Sequence, residues 1–179
     1  MTSRRDALAW LSAAALLPAA GCSRSPARPE PAAIALPHDP DCVFCRIAAG
    51  QLPAATVYED EDCLAFATKA PRAPGHTLLV PRRHVRDLYA LPDELAGRMY
   101  RVAPRLARAI KQVFRADGVT CRQNNEAASD QTVFHYHMHF IPRFTDDGLW
   151  LDADGVKEMP LGERERVYAP LRVALSGRT

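Results

Sequence analysis

The sequence carries almost no charge imbalance: 23 lysines and arginines stand against 21 aspartates and glutamates, a formal net charge of +2 over 179 residues. Without a basic stripe, the chain lacks the electrostatic footprint of a nucleic-acid-binding protein. It also lacks an apolar run of the about 20 residues that a membrane-spanning helix needs; the uncharged stretch 7–20 falls short. Asp152 and Asp154 hint at a cation loop, but the other ligands of a calcium loop are missing, so both read as turn residues. Cysteine is sparse, with five in all, at positions 22, 42, 45, 63 and 121.

The N-terminal residues stand outside the expected fold. Arg4 and Arg5 precede the apolar run in the manner of a twin-arginine export signal. The run ends in Pro18, Ala19, Ala20, Gly21 and Cys22, which resembles a bacterial lipobox, with Ala19 where leucine is commoner. Two other readings stay open: a short amphipathic helix, and a cleaved signal without lipid. Residues 23–41 hold Pro26, Pro29, Pro31, Pro37 and Pro40. Such proline density forms no helix and buries little, so the segment reads as a semi-rigid tether. The expected organisation is an export signal over 1–21, a tether over 22–41 and one folded domain over 42–179. That domain is expected outside the cytoplasmic membrane, with Cys22 as a possible lipid anchor.

What the sequence does have is a row of alternating histidines: His135, His137 and His139, interleaved with Phe134, Tyr136, Met138 and Phe140. A strand over residues 132–141 puts Val133, His135, His137, His139 and Ile141 on one face. Phe134, Tyr136, Met138 and Phe140 then form a core face. The imidazoles repeat about every 7 Å. Histidine is the side chain suited to proton transfer near neutral pH and is a common metal ligand.

Cys42 and Cys45 form a CxxC pair with three readings: a zinc half-site, a redox pair or an exported disulfide. Structural zinc needs four Cys or His ligands. His76, His84, His135, His137 and His139 are the candidates to complete the set. An oxidising compartment disfavours free thiols, but twin-arginine cargo folds before export, so zinc can be loaded first. Cys63 and Cys121 sit among apolar neighbours in expected strands and read as buried core thiols.

The remaining pattern is α+β, an antiparallel sheet of about five strands with one long and one C-terminal helix. Strands are expected over 56–59, 63–67, 76–80, 119–123 and 132–141. A long helix over 92–116 carries Leu95, Met99, Val102, Leu106, Ile110 and Val113 at spacings of three and four. Arg98, Arg101, Arg105, Arg108 and Lys111 read as its solvated face. Pro104 predicts a kink, and Gly118 the helix stop. A last helix covers 162–175.

Together these motifs resemble the histidine triad (HIT) family. The segment from His135 to Ile141 matches its defining pattern. The run from Ala73 to His84 is similar to its second characteristic segment. Asn124, Asn125, Glu126 and Gln131 to Phe134 resemble the lead-in, and the CxxC resembles the half-site of zinc-containing bacterial members. The resemblance implies a homodimer with a sheet-based core. It also implies hydrolysis or transfer at the α-phosphate of a nucleotide conjugate, such as a nucleoside phosphoramidate or dinucleoside polyphosphate. By motif, His137 is the nucleophile that forms a nucleotidyl-histidine intermediate, and His139 handles protons beside it. Asn125, Gln131 and Thr132 hold the substrate. Cys42, Cys45, His84 and His135 hold a structural zinc ion.

Three positions depart from the family pattern. Thr68 and Lys69 stand where an acidic residue usually holds the ribose. Ala70 replaces a small polar residue, and Asp130 replaces a glycine before Gln131. Thr68 and Asp130 favour the alternative of a nucleotide- or metal-binding module with little catalysis, and the intact triad disfavours it. A third reading is a redox protein using Cys42 and Cys45.

Overall fold

Strict alternation along β2, Cys63–Ala67, sends its side chains into two different cores, and the whole molecule follows from that split. The computed structural model describes residues 38–149 and 156–177. The export signal, Cys22, the tether through residue 37, and Asp152 and Asp154 lie outside the described residues. Around β2 run β1 (Thr56–Glu59), β3 (Thr77–Pro81), β4 (Gly118–Gln123) and β5 (Met138–Arg143). All pairs are antiparallel, in the order β1-β2-β3-β5-β4. The expected five-stranded antiparallel α+β fold is what forms.

On one face, Ala65, Leu79, Met138 and Phe140 meet Met99, Leu106 and Ile110 of α2 (Asp93–Phe114) and Tyr168 and Leu171 of α3 (Leu161–Ser176). On the other, Leu64, Phe66, Leu78 and Val80 meet Cys42, Phe44 and Cys45 around α1 (Val43–Ala48). Full burial of each large apolar side chain contributes about 1.5–3 kcal/mol. The short α1 carries the CxxC; a six-residue helix beside a proline-rich segment leaves too short a periodicity to read in the sequence. Among the described residues no helix is long and apolar enough to cross a membrane.

Several expectations are corrected. The histidine strand begins at Met138 rather than Thr132, because the β3 ladder stops at Leu79↔Met138. Upstream, the Tyr136 N–H pairs with the Val85 carbonyl instead, so His135 and His137 lie in an irregular lead-in. Tyr136, Met138 and Phe140 do join the core, but Phe134 turns outward beneath the Arg86 guanidinium, 4.7 Å from its ring centre. Cys63 is buried as expected. Cys121 is exposed, on β4 at the edge of the sheet. α2 continues through Pro104, an exposed position. Arg115 (φ 53°) takes the left-handed position expected of Gly118, which opens β4 instead. Arg105 is not on a solvated face: its guanidinium bonds the Leu175 and Gly177 carbonyls at the end of α3.

Candidate active site and metal centre

Four donor side chains converge between α1 and the lead-in to β5. Cys42 is the residue capping α1 and Cys45 lies in its first turn. His84 follows β3, and His135 precedes β5. Cys42 Sγ is 3.4 Å from His135 Nδ1, while Cys45 Sγ is 3.3 Å from His84 Nδ1 and 3.5 Å from His135 Nδ1. All four ligand atoms lie within 4.8 Å of one another. A tetrahedral zinc ion spaces its sulfur and nitrogen donors about 3.5 Å apart, so the set fits. The His135 tautomer fits too. Its Nε2–H donates to the Pro81 carbonyl (2.9 Å), which leaves Nδ1 as the lone-pair nitrogen facing both sulfurs. Burial pushes the Cys45 thiol up to about 11 and holds His135 down to about 4. A dication is the natural partner for two sulfurs so placed, since metal ligation requires the thiolates. Neither sulfur is in a disulfide.

Next to this centre lies His137, 5 % exposed. The Phe44 ring stands edge-on to both His135 and His137, with centroids 5.7 and 5.2 Å away. His137 Nδ1–H donates to the His135 carbonyl at 2.7 Å. A carbonyl cannot donate in return, so Nε2 is the basic nitrogen. Burial holds the His137 pKa below its ordinary value, and the ring is neutral near pH 7.

His139 lies edge-on to His137 at a centroid separation of 4.9 Å and an interplanar angle of 64°. Its Nδ1 is 3.0 Å from His76 Nε2. His76 Nδ1 in turn accepts the Arg72 backbone N–H at 3.2 Å. The tautomers follow in sequence: His76 Nδ1 accepts, its Nε2–H donates to His139 Nδ1, and His139 presents Nε2–H. Burial, joined by the nearby positive charges of Arg72 and Arg122, lowers His76 to about 4; burial, then His137, His76 and both arginines, lowers His139 to about 3. The sequence offers His76 only as one of several candidate zinc ligands, with no catalytic role. Its place beside Gly75, before a strand, was the available signal, but its partner is 63 residues away.

The three expected substrate residues are brought to one loop, where two of them serve the loop itself. Asn125 Oδ1 accepts from the Leu88 N–H and from Gln123 Nε2. Gln131 Oε1 accepts the Glu126 N–H, and its Nε2 donates to the Arg86 and Val133 carbonyls. Thr132 is exposed, and among the described residues its side chain makes no hydrogen bond. Asp130 points outward, its side chain 84 % exposed and 3.7 Å from the Arg122 guanidinium. Its carboxylate lies against the same guanidinium whose positive charge acts on His76 and His139. Glu126 (φ 66°, ψ 163°) and Asp130 (φ 62°) hold backbone conformations that favour glycine. The Glu126 carboxylate is gripped by both Arg86 amino groups at 2.9 and 3.1 Å.

Two open grooves of about 550 Å³ each lie along β1 and the arginines of α2, away from the histidines. A groove of about 300 Å³ lies beside Cys42, Thr132 and Phe134. Chemistry rather than volume marks the site: the paired imidazoles with assigned tautomers are found at the histidine row.

Residues 49–146 match the HIT domain model. Protein hit from Bacillus subtilis is 45 % identical over 104 residues, 58 % of this chain and 72 % of that protein. Adenylylsulfatase HINT3 from Arabidopsis thaliana is 37 % identical over 110 residues, 62 % of this chain and 56 % of that protein. A crystal structure of a zinc-bound histidine triad family protein from Mycobacterium smegmatis superposes with a TM-score of 0.66 at 39 % identity, covering 76 % of this chain and 94 % of that one. The alternating histidines, the Cys2His2 cluster and these similarities agree: the chain belongs to the HIT domain family.

Proposed function

We propose that this protein is a hydrolase or nucleotidyl transferase acting at the α-phosphate of a nucleotide conjugate, with His137 as nucleophile. The observation that carries this reading is the His137 Nδ1–H bond to the His135 carbonyl. It leaves a neutral imidazole with Nε2 as the attacking lone pair, held in one orientation. The same carbonyl steadies the positive charge that the ring acquires when the N–P bond forms, as a carboxylate does for the histidine of a Ser-His-Asp triad. As the N–P bond forms, the P–N or P–O bond to the leaving group breaks. His139, which presents Nε2–H, hydrogen-bonds the leaving group as it departs; the proton the leaving group takes comes from solvent and is returned when the nucleotidyl group is transferred to water or alcohol. Water or an acceptor alcohol then takes the nucleotidyl group from His137. Phosphoryl chemistry of this kind needs mainly placement and charge stabilisation. Thr132, with the loop that Asn125 and Gln131 hold in shape, is assigned to the phosphate and nucleoside side of the site. His137→Ala is expected to abolish turnover with unchanged thermal unfolding; equal activity in that variant contradicts the reading.

Cys42, Cys45, His84 and His135 would hold a structural zinc ion, which supplies a fixed cross-link between α1 and the lead-in to β5. With all four positions filled by protein, it takes no part in the chemistry. One zinc per chain by metal analysis is the expected result, and none bound by the reduced protein contradicts it. The edge position of β4 supports a homodimer continuing the sheet, for which a monomeric mass in light scattering is the contrary outcome. The domain is assigned to the outside of the cytoplasmic membrane, tethered through Cys22. An unprocessed N-terminus on the protein from its native membrane fraction opposes that assignment.

A further inference from the structure

The C-terminal helix α3 lies beyond the 49–146 region that matches the HIT domain, yet one of its side chains reaches the histidine network. Tyr168 is 0 % exposed, its ring packed on Phe114 at 5.6 Å. Its hydroxyl accepts the Gly75 N–H at 3.1 Å and donates to the His76 carbonyl at 2.9 Å. The hydroxyl thus bridges the backbone of two successive residues, the second of which carries the imidazole that bonds His139. The turn it bridges has little slack. Gly75 has φ +98°, and a Cβ there would lie 2.6 Å from Phe114 Cδ2 and 2.8 Å from Pro142 Cγ. The His76 N–H is bound to the Ala73 carbonyl (3.0 Å), and the Thr77 hydroxyl donates to the Gly75 carbonyl (2.9 Å). On the far side of the ring, His76 Nδ1 accepts the Arg72 N–H.

We infer that Tyr168 is a positioning residue for the reaction: by clamping the Gly75–His76 backbone it holds the His76 ring so that Nε2–H donates to His139 Nδ1, and so fixes His139 in the tautomer that presents Nε2–H. This inference rests on the role proposed above for His139 as hydrogen-bond donor to the leaving group. A His139 ring free to adopt the other tautomer would carry its proton toward His76, leaving a lone pair where the leaving group needs a donor. Tyr168 touches no reacting atom. It acts through His76, itself a second positioning residue, and His139.

The test is Tyr168→Phe, which keeps the ring in the core and removes only the hydroxyl. The His76 carbonyl keeps its bond from the Thr68 N–H, so the fold has a reason to persist. Tyr58→Phe is the control: it removes the hydroxyl bond of a half-buried tyrosine, to Asp60 at 2.6 Å, on β1 rather than beside the histidines. On a nucleoside phosphoramidate, Tyr168→Phe is expected to lower kcat about 10- to 100-fold with KM nearly unchanged, the scale of a small misplacement of a catalytic group. Tyr58→Phe is expected to change neither. Imidazole nitrogen NMR of the zinc-loaded full chain is expected to show His139 protonated at Nε2 in the wild type and as a tautomer mixture in Tyr168→Phe. A Tyr168→Phe variant with wild-type kcat, or with an unchanged His139 tautomer, overturns the inference and leaves the His137 mechanism standing. A wild-type protein that turns over no substrate overturns the mechanism instead, and the NMR comparison still decides whether Tyr168 governs the His139 tautomer.

Discussion

At the scale of single residues, the His137 ring is defined by where its two nitrogens go. One is committed to the His135 carbonyl and the other is left basic. Because burial depresses its pKa below the ordinary value of about 6.5, the reactive neutral form persists to lower pH than a free imidazole would allow. Protonation removes the nucleophile, so kcat/KM is expected to stay level from pH 8 down through 6.5 and to fall only below it. A fall already complete at pH 6.5 in a pH–rate profile contradicts this assignment. The alternation of His135, His137 and His139 made this centre readable in the sequence. What was not readable was tertiary: His76 is joined to His139 by a contact across two strands. The amides of Asn125 and Gln131 are committed to backbone groups that only the folded loop brings near.

At the scale of elements, the turn before β3 and the lead-in to β5 bear the site. Four strands and both long helices followed from periodicity with ends shifted by no more than two residues, while β5 starts six residues later than expected. The lead-in did not, because alternation continues through residues 132–141 while the ladder partner ends at Leu79. Period-2 patterning reports which way side chains point, not whether a neighbouring strand is there to pair. Cys121 was misplaced for a related reason, since strand order, which makes β4 an edge, is not encoded locally. Gly75 is the element-scale test. Its φ of +98° and the 2.6 Å approach to Phe114 leave no room for a methyl group. Gly75→Ala is therefore expected to destabilise the protein by more than about 1 kcal/mol and to reduce activity further by shifting His76. A wild-type melting temperature for this variant would refute the packing argument.

At the scale of the whole molecule, two cores on opposite faces of one sheet meet at the histidine row. The α2–α3 core supports β5 from beneath, and the small α1 core holds the metal-type cluster above it. The second core has few members, so the cross-link through Cys42, Cys45, His84 and His135 carries much of its order. A metal at 100-fold excess over its Kd stabilises the folded state by about 2.7 kcal/mol. Chelation is therefore expected to lower the melting temperature by at least about 5 °C and to be reversed by zinc. An unchanged melting curve after complete metal removal would deny the cluster a structural role. The family was legible through its motifs, and the metal-type ligand set through the resemblance those motifs carry. The coupling of α3 to the site through Tyr168 was not, since its partners lie more than 90 residues away.

The central claim is that His137 attacks phosphorus, and one measurement tests it most directly. The zinc-loaded protein is mixed with a nucleoside phosphoramidate or adenylate, quenched during turnover and weighed by intact mass spectrometry, with peptide mapping of the product. A gain of one nucleotidyl group, located on His137 and absent in His137→Ala, is the predicted result. Turnover with no adduct on His137, or an adduct on another side chain, would contradict the account.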